Sequence, residues 1–493
     1  MADINVVHYN ETFVRIVAER PYLKEIHKEF SFFAKNYQFH PKYKSKMWDG
    51  RISLFRAGER FLPKGLLARL NEWAEHNRRT IAFDPDVLAT LSPFSVDNND
   101  IIEFYKRIGG PFEPLDTQID AVSHCINEGR CVILAPTSNG KSYMIHGLAA
   151  FFALQKKRVL IIVDRSQLVQ QLKENIAEEY FGAAKFNTGM VYDKDLDISK
   201  LDVYLTTWQS CYENDEEWFQ QFDVFIGDEL HKFKAKSLQT INEKIGHISW
   251  RFGFTGTLDN DSVTDRLTII GMFGPAHRVA TIKELIEAGI SARPTIHMIR
   301  IIYPESDRKA LGQADYPSES AFLEGHEKRN QIIHNAILAT KGNRLVAFKS
   351  DTHGKLLRDR LISEGHKPFF ANYTVKREKR VEISKIIDTM RDAIGVVSIG
   401  TFSTGINIKL IDTLIITCLL KSKITVPQLI GRTLRVTQSK KTSEILDFGD
   451  DLSQDLKGGD VYENMSLRHF NARKKIYQSE GFLVKEKVID LTK

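Results

Sequence analysis

The feature that most constrains the fold is a series of short apolar runs, rich in β-branched residues, separated by segments with helical periodicity. Five such runs lie in the first part of the chain: CVILA at 131–135, RVLIIVD at 158–164, DVYLTT at 202–207, DVFIGD at 223–228 and RFGFTGT at 251–257. Continuous apolar strands with helices between them are typical of a parallel sheet that is buried on both faces. The sequence therefore predicts an α/β domain over residues 105–285.

A second series of the same kind follows. Its runs are NRLVAFKS at 343–350, GVVSIGTF at 395–402 and DTLIIT at 412–417. Residues 286–320 contain three prolines and predict a linker with one extended strand. Because a chain of 493 residues exceeds what one hydrophobic core usually serves, we expect a second α/β domain that, with this linker, covers residues 286–465.

The ends of the chain read differently. Residues 1–100 mix apolar alternation at 13–17 and 52–55 with a helical pattern at 66–73, which predicts a small α+β domain that binds nucleic acid or substrate. Residues 466–493 predict a basic helical extension. The expected fold class is thus α/β, with two tandem parallel-sheet domains preceded by a small α+β domain.

Composition excludes several classes of protein. The first residues lack a basic segment followed by an apolar one, and no apolar run approaches the roughly 20 residues that span a bilayer. We therefore expect a cytoplasmic protein without membrane contact.

The cysteines show no Cys-x-x-Cys spacing, which favours buried thiols over a zinc site or a disulfide framework; they are Cys125, Cys131, Cys211 and Cys418. A net charge of +6 permits a polyanionic partner without requiring one.

A phosphate-binding loop follows the first strand. The segment APTSNGKS at 135–142 lies between a predicted strand and an apolar helix, so backbone N–H groups and the helix N-terminus would hold phosphates. Lys141 would reach the β and γ oxygens of ATP, and Ser142 would bind Mg²⁺. The other predicted nucleotide contacts in this loop are Pro136, Thr137, Ser138, Asn139 and Gly140. The alternative is a chance Gly-Lys-Ser in a loop.

Two carboxylates follow a later strand. Asp228 and Glu229 come directly after the run that begins at 223, at the strand end where ligands bind in open α/β sheets. Asp228 would bind Mg²⁺, and Glu229 would orient the attacking water in phosphoryl transfer. The alternative is a solvated helix start, where carboxylates are favoured by the helix dipole. ATP and Mg²⁺ are therefore the expected ligands.

Together with further segments, these motifs resemble those of superfamily 2 helicases and translocases, whose two motor domains are RecA-like. The resemblance implies that Gln118 reads adenine and that TGT at 255–257, comprising Thr255, Gly256 and Thr257, couples hydrolysis to nucleic-acid movement. GTFSTGIN at 400–407 and QLIGRTLR at 428–435 match two motifs that face the nucleotide. It thereby implies catalytic roles for His231, Gln428, Arg432 and Arg435, and nucleotide contacts for Gly405 and Asn407. Many members carry Asp where this chain has Asn407.

The two arginines have a chemical rationale. Charge on the transferred phosphoryl group needs cations beyond Lys141 and Mg²⁺, and an arginine from the second domain can supply a rate factor of roughly 10³ to 10⁵. If QLIGRTLR is helical, Arg432 and Arg435 lie on one helix face. The alternative is a solvated basic face or contacts to a phosphate backbone.

Several segments resemble one particular group within this superfamily. KYKSKMWDGRISLF near the N-terminus, DELH at 228–231, SDTHGKLL at 350–357 and FSTGINIK at 402–409 resemble UvsW-type helicases of T-even-like phages. This resemblance implies action on single-stranded and branched DNA, including forks and four-way junctions, and on RNA–DNA hybrids, in recombination, repair and replication. It also implies a monomer or weak oligomer in the cytoplasm of a phage host.

Residues 35–69 carry the strongest local charge, with nine basic residues against two acidic ones and six aromatics between them. Cations that attract phosphates and rings that stack on bases are typical of a strand-binding surface. The candidates here are Lys42, Lys44, Lys46, Trp48 and Arg51, and the family resemblance adds Arg165, Thr207, Gln209, Lys349 and Thr401. Alternating aromatics are also typical of a half-buried strand, an alternative that applies to Phe55 and Phe61.

Three other functions remain open from the sequence. One is a duplex DNA translocase of restriction type, which moves without separating strands. The second is a nucleic-acid annealing protein with a regulatory ATPase, and the third is an RNA helicase, since contacts to the 2′-OH cannot be read from sequence.

Overall fold

The computed structural model describes residues 2–88, 94–176, 186–193, 196–233, 235–258, 262–405, 408, 410–420, 425–434, 442–455 and 460–492. The chain divides into two compact units: the first comprises residues 1–135 and 139–280, and the second comprises residues 136–138 and 281–493. Each unit contains a seven-stranded sheet in which every neighbouring pair of strands is parallel. The prediction of two tandem parallel-sheet domains is therefore confirmed.

The N-terminal domain combines a four-stranded sheet with a separate hairpin. Its elements are β1 (Ile4–His8), β2 (Phe13–Ala18), α1 (Arg20–Glu29), β3 (Ser31–Phe33), α2 (Pro41–Lys44), β4 (Arg51–Ser53), β5 (Phe61–Pro63), α3 (Leu67–His76), β6 (Ile81–Phe83) and α4 (Pro85–Leu88). The sheet order is β5-β2-β1-β6, with β1 antiparallel to β2 and parallel to β6. Strands β3 and β4 pair with each other, antiparallel and apart from this sheet, and residues 34–50 connect them. We call this segment the β3–β4 connection.

The first α/β domain follows in the same compact unit. Its elements are α5 (Asn98–Ile108), α6 (Asp116–Glu128), β7 (Arg130–Leu134), α7 (Lys141–Leu154), β8 (Val159–Val163), α8 (Ser166–Glu174), β9 (Thr188–Met190), β10 (Val203–Thr207), α9 (Trp208–Cys211), α10 (Glu216–Phe219), β11 (Val224–Asp228), α11 (Ala235–Lys244), β12 (Trp250–Thr255), α12 (Val263–Phe273) and β13 (Ala276–Arg278). The strand order is β13-β7-β12-β11-β8-β10-β9.

The parallel order explains why the predicted motifs converge. Carboxyl ends of parallel strands meet at one edge of the sheet, and helices cover both faces. Strands β7 and β12 are direct neighbours, with a register that pairs Arg130 with Arg251 and Leu134 with Thr255. The phosphate loop after β7 and the TGT motif at the end of β12 are therefore adjacent.

The second α/β domain contains the remaining elements. They are α13 (Ile282–Glu287), β14 (Arg293–Ile302), α14 (Glu305–Leu311), α15 (Tyr316–Gly325), α16 (Glu327–Ala339), β15 (Arg344–Phe348), α17 (Asp351–Ser363), β16 (Phe369–Ala371), α18 (Arg377–Thr389), β17 (Ile394–Ser398), α19 (Ile399–Gly405), β18 (Thr413–Ile416), α20 (Thr425–Gly431), β19 (Thr442–Asp451), β20 (Gln454–Asp455), β21 (Val461–Tyr462), α21 (Met465–Ser479) and β22 (Leu483–Asp490). The sheet order is β16-β17-β15-β18-β19-β14-β22.

Two sequence expectations need correction here. The run at 395–402 is not one strand, because β17 ends at Ser398 and a helix begins at Ile399. The C-terminal segment is not only helical, because β22 pairs with β14 in parallel over eight residues, from Leu483 opposite Thr295 to Asp490 opposite Ile302. The side chains of this edge strand are largely exposed, so its sequence has the charged pattern of a C-terminal tail and does not predict a strand.

A buried ion pair fixes helix α21 to the second sheet. Arg473 donates from Nε and Nη2 to the two carboxylate oxygens of Asp447, at 2.8 and 2.7 Å. The hydroxyl of Tyr477, one turn along the helix, donates to Asp447 at 2.6 Å. Both charged side chains are almost fully buried. This basic residue of the C-terminal segment is therefore a core residue.

All four cysteines are buried and free, which confirms the prediction of core thiols. Across the described ranges of the chain, no helix combines the length and the apolar character needed to cross a membrane.

Replacing Arg473 with Met removes the partner of Asp447 and leaves a buried carboxylate. We expect the free energy of unfolding to fall by about 3–5 kcal/mol. Lys474→Met is the matched control, because Lys474 pairs with Glu486 at a half-exposed position and should cost less than about 1 kcal/mol. Urea denaturation of the three proteins measures both changes, and equal losses in the two variants would contradict the assignment.

Candidate nucleotide and nucleic-acid sites

The phosphate loop is held between β7 and α7. After Leu134 ends β7, residues Thr137–Asn139 form a short 3-10 turn and Gly140 caps α7. Helix α7 is apolar and almost entirely buried, so its N-terminus has a fixed position beside the loop. Backbone N–H groups at a helix N-terminus form a site for anions.

Gly140 and Gln118 determine the shape of this loop. Gly140 has a φ of +71°, and a Cβ added to it would lie 2.4 Å from Nε2 of Gln118. That amide donates to the carbonyl of Asn139 at 3.0 Å, while its oxygen accepts from the N–H of Leu115 at 3.0 Å. Gln118 therefore braces the loop from α6. Its predicted contact with adenine stays a prediction.

The loop has the donors that a triphosphate requires. The Lys141 side chain is 9% exposed, and its Nζ lies 3.4 Å from the carbonyl of Ala135 and 3.6 Å from Oε1 of Glu229. Nδ2 of Asn139 is buried without a hydrogen-bond partner in the described parts of the chain. Ser142 lies in the first turn of α7. A cation, a hydroxyl and an unused buried donor at one helix N-terminus fit a phosphate chain.

The acidic residues lie at the end of β11. Asp228 closes the strand, and Glu229 takes the left-handed conformation with φ of 52°. The N–H of Glu229 donates to Oδ1 of Asp228 at 2.9 Å. Burial and the adjacent Glu229 carboxylate raise the pKa of Asp228 to about 7, so neighbouring positive charge is needed to keep this carboxylate ionised. A half-buried carboxylate with the Ser142 hydroxyl is a set of hard oxygen ligands that fits Mg²⁺.

A chain of polar contacts joins these carboxylates to the TGT motif. Nδ1 of His231 lies 3.3 Å from Oε2 of Glu229 and 2.8 Å from the hydroxyl of Thr255. The Thr255 hydroxyl donates its proton to the carbonyl of Thr257 at 2.9 Å. The Thr255 oxygen therefore accepts from the N–H at Nδ1 of His231. Burial lowers the pKa of His231 to about 4, and the ring is therefore neutral near pH 7. Lys141, Glu229, His231 and Thr255 form one continuous path.

The sequence placed these residues in separate motifs and missed the contact between them. Thr255 is 24 positions from His231 along the chain. The only signal was the inference that the two strands ending at Asp228 and Thr255 belong to one sheet, and in the structure β11 and β12 are neighbours.

In the first α/β domain, the side chains that the sequence predicts to contact nucleic acid differ in their exposure to solvent. Arg165 is exposed, and its Nε donates to Oδ2 of Asp164 at 3.0 Å. Gln209 is exposed as well, and its amide donates to the carbonyl of Asp164 at 3.0 Å. The structure therefore places these two side chains together. Thr207 is buried, and its hydroxyl caps α9 by accepting from the N–H of Ser210 at 3.2 Å.

In the N-terminal domain, aromatic contacts order the β3–β4 connection. Nε1 of Trp48 donates to the carbonyl of Arg51 at 2.7 Å, and its ring packs edge-on against His40. The Arg51 guanidinium lies 4.5 Å above the ring of Phe33. These two candidates are thus engaged within the domain, whereas the exposed cations of the connection include Lys42, Lys44 and Lys46.

Phe55 and Phe61 are buried in the core of the N-terminal domain. Both are therefore core residues, but only Phe61 lies in a strand, β5, whereas Phe55 follows β4.

The second domain positions only part of its predicted site. Lys349 follows β15, and its Nζ donates to the hydroxyl of Tyr316 at 2.7 Å. Thr401 is buried in α19, where its hydroxyl accepts from Ser398 at 2.8 Å. Gly405 ends the same helix, Gln428 lies in α20, and Asn407 and Arg435 are outside the described residues.

Arg432 follows α20 instead of lying within it. The helix ends at Gly431, so the condition under which Arg432 and Arg435 would lie on one helix face is not met. The guanidinium of Arg432 lies 5.7 Å from the ring centroid of Phe402, in a turn stabilised by the Thr433 hydroxyl, which donates to the carbonyl of Ile430.

Comparisons with known proteins agree along the whole chain. A family model described as the N-terminal domain of DNA helicase UvsW matches residues 3–84, and one described as type III restriction enzyme, res subunit, matches residues 111–260. The ATP-dependent DNA helicase uvsW of Enterobacteria phage T4 is 30% identical over 508 residues, which cover 99% of this chain and 100% of that protein. An endonuclease subunit of the type I restriction enzyme EcoAI of Escherichia coli is 26% identical over 42% of this chain and 26% of its own length.

Solved structures that resemble this chain include a UvsW helicase and a restriction-enzyme subunit. The crystal structure of T4 UvsW matches with a TM-score of 0.52 and 29% identity, covering 99% of this chain and 100% of that one. A fragment of a HsdR restriction subunit from Vibrio vulnificus matches with a TM-score of 0.56 at 14% identity, over 87% of this chain and 83% of that one, which concerns the fold alone.

Replacing Gly140 with Ala should damage the nucleotide site, because the new methyl group would meet Gln118 in a backbone conformation that disfavours side chains. We expect ATP affinity to fall at least about tenfold, which corresponds to about 1.4 kcal/mol. Titration with a fluorescent ATP analogue measures this change. Gly58→Ala, where a Cβ meets nothing within 4 Å, is the control, and unchanged affinity in Gly140→Ala would contradict the site.

Proposed function

Because the chain belongs to the UvsW family of ATP-dependent DNA helicases, we propose that it remodels branched DNA by regressing forks, migrating four-way junctions and removing R-loops during recombination, repair and replication. The observation that carries this proposal is the polar path from Lys141 through Glu229 and His231 to Thr255. A motor must transmit the state of its nucleotide to its DNA contacts, and this path joins the phosphate loop to the predicted coupling motif.

The protein uses ATP, and its own residues account for how hydrolysis proceeds. The backbone of the phosphate loop and Lys141 hold the phosphates, while Glu229 orients the attacking water and accepts its proton. Mg²⁺, held by Asp228 and Ser142, would neutralise charge on the phosphate oxygens. The neutral His231 lies against the Glu229 carboxylate, with Nδ1 3.3 Å from Oε2, and adds no competing positive charge.

Five residues of the second domain complete the proposed chemistry. We assign Arg432 and Arg435 to stabilisation of the charge that develops on the transferred phosphoryl group. The same proposal gives Gln428 a catalytic role, and Asn407 and Gly405 contacts to the nucleotide. Family resemblance is the support for these assignments.

DNA contacts are proposed on both units. The β3–β4 connection carries four lysines against one aspartate, and its cations are suited to DNA phosphates. In the first α/β domain, Arg165 and Gln209 are both exposed beside Asp164, as we expect of residues that contact the same DNA strand. Lys349 and Thr401 would contact the same strand from the second domain. RNA–DNA hybrids are included among the substrates, and the protein would act in the cytoplasm as a monomer or weak oligomer.

A second candidate function is translocation on duplex DNA without strand separation. The match of residues 111–260 to a restriction-enzyme model and the partial likeness to a type I restriction subunit favour it. A strand-displacement assay on forked and blunt DNA separates the two functions, because only a helicase displaces a strand from the fork.

We expect ATP hydrolysis to be stimulated most by forks and four-way junctions in a panel that also contains single strands, R-loops and blunt duplex. Glu229→Gln should reduce this hydrolysis by at least about 10³-fold, because the water loses its orienting carboxylate. Steady-state phosphate release measures both effects. Equal stimulation by all five DNAs would contradict the branched-DNA proposal, and junction remodelling that survives in Glu229→Gln would favour an annealing protein instead.

Replacing Thr255 with Val removes the hydroxyl that His231 contacts and preserves the shape of the side chain. We expect ATP hydrolysis to stay within about threefold of wild type while fork unwinding falls at least about tenfold, because the polar path is cut after the catalytic carboxylate. Thr255→Ser retains the hydroxyl and should unwind like wild type. Parallel loss of both activities in Thr255→Val would contradict a coupling role.

A further inference from the structure

A buried polar cluster joins the N-terminal domain to the first α/β domain. It lies at the amino ends of β7 and β12, the same two strands whose carboxyl ends carry the phosphate loop and the TGT motif. Arg130 begins β7, and Arg251 is its partner in the register of β12. Arg251 is fully buried, and the Arg130 side chain is 14% exposed.

The N-terminal domain completes the coordination of Arg251. The guanidinium donates to the carbonyl of Ile248 at 2.8 Å, to Oδ1 of Asn242 at 2.7 Å and to the hydroxyl of Thr12 at 2.9 Å. The Thr12 hydroxyl in turn donates to the carbonyl of Asn242 at 2.7 Å. One hydroxyl of the N-terminal domain therefore satisfies two buried groups of the α/β domain.

Glu11 supplies the negative charge of the cluster. Its Oε2 accepts from Nζ of Lys64 at 2.9 Å and lies 3.7 Å from Nη2 of Arg130, which also donates to the Glu11 carbonyl at 2.6 Å. Separation of the two domains would take Glu11 away from Arg130 and the Thr12 hydroxyl away from Arg251, in a largely apolar setting. Buried charges and donors that lose their partners are costly, so the cluster opposes separation.

Apolar contacts continue across the same boundary. Leu267 of α12 belongs to the hydrophobic core of the N-terminal domain. A Cβ added to Gly65 would lie 2.0 Å from the carbonyl oxygen of Ile270, so residues 64–66 pack with their backbone directly on α12. Helix α12 therefore contributes side chains to the hydrophobic cores of both domains.

We propose that the N-terminal domain and the first α/β domain move as one rigid body through the ATP cycle, with Glu11 and Thr12 as positioning residues. The proposal rests on the proposed function, because it is the DNA-contacting β3–β4 connection that is thereby fixed relative to the phosphate loop. Any nucleotide-driven displacement of the first α/β domain carries these DNA contacts with it, so relative motion takes place elsewhere in the protein.

A cross-link across the boundary tests this rigidity. A Cβ at Gly246 would lie 3.8 Å from Cβ of Asn10, which is about the separation in a disulfide. Gly246 is absent from the glycines with positive φ, so it tolerates a side chain. In the double variant N10C/G246C, we expect the oxidised protein to form the disulfide and to keep DNA-stimulated ATP hydrolysis and fork unwinding within about threefold of the reduced protein.

Each single variant, treated with the same oxidant, controls for oxidation of the native cysteines. The N10C variant also controls for loss of the Asn10 side chain, which accepts from the N–H groups of Thr12 and Phe13 at 2.8 Å. A loss of more than about threefold that reductant reverses would overturn the proposal, since it would mean that the domains must separate. Failure of the disulfide to form would overturn it as well, because docked domains hold the two Cβ atoms together.

A second variant tests the positioning residues directly. In Glu11→Gln, we expect the DNA unwound per ATP hydrolysed on forks to fall at least about fivefold, while hydrolysis stimulated by single strands stays within about twofold. Arg56→Gln is the matched control, because Arg56 pairs with Glu243 across the same boundary at an exposed position and should change neither activity. A smaller fall, or equal loss of both activities in Glu11→Gln, would contradict the positioning role.

Failure of the proposed function has a different signature. It would appear as equal activity of the wild-type protein on branched and blunt DNA. The effect of the cross-link is a ratio between oxidised and reduced protein on one DNA, and that ratio is independent of which DNA is preferred.

Discussion

The pairing of β7 with β12 is the constraint on which the rest of the first unit depends. Their register sets Leu134 beside Thr255 at one end and Arg130 beside Arg251 at the other. At the first end, the phosphate loop and the coupling motif therefore lie within reach of the same carboxylates. At the second end, two guanidiniums have to be satisfied by groups from outside the sheet, and the N-terminal domain provides Glu11 for Arg130 and Thr12 for Arg251. One strand pair thus determines both where the proposed ATP site lies and how the neighbouring domain is attached.

The chemistry at the ATP end depends on burial of opposed charges. Asp228 and Glu229 lie side by side near Lys141, and the raised pKa of Asp228 reflects the cost of holding two carboxylates together away from water. A divalent cation lowers that cost. His231 is neutral for the same reason of burial, and it therefore contacts both Glu229 and Thr255 without changing the charge of the site.

Much of this architecture follows from local sequence. Runs such as VLIIV at 159–163 are apolar at every position, so they predict buried parallel strands, and the phosphate loop follows from the strand, loop and helix around Lys141. Long-range contacts do not follow. Arg251 reads as the polar first residue of a strand, yet its partner Thr12 is 239 positions away. Strand β22 was missed because an exposed edge strand has the composition of a charged tail.

We infer that the N-terminal domain and the first α/β domain form one body, which would hold the proposed DNA contacts at a fixed distance from the proposed ATP site. Spin labels at cysteines introduced for Gly58 and Lys200, both exposed and one in each domain, measure this directly by electron–electron double resonance. A rigid body predicts the same distance distribution without nucleotide, with a slowly hydrolysed ATP analogue and with ADP, each in the presence of forked DNA. A nucleotide-dependent shift of more than about 5 Å, the size of a one-turn displacement, would contradict it.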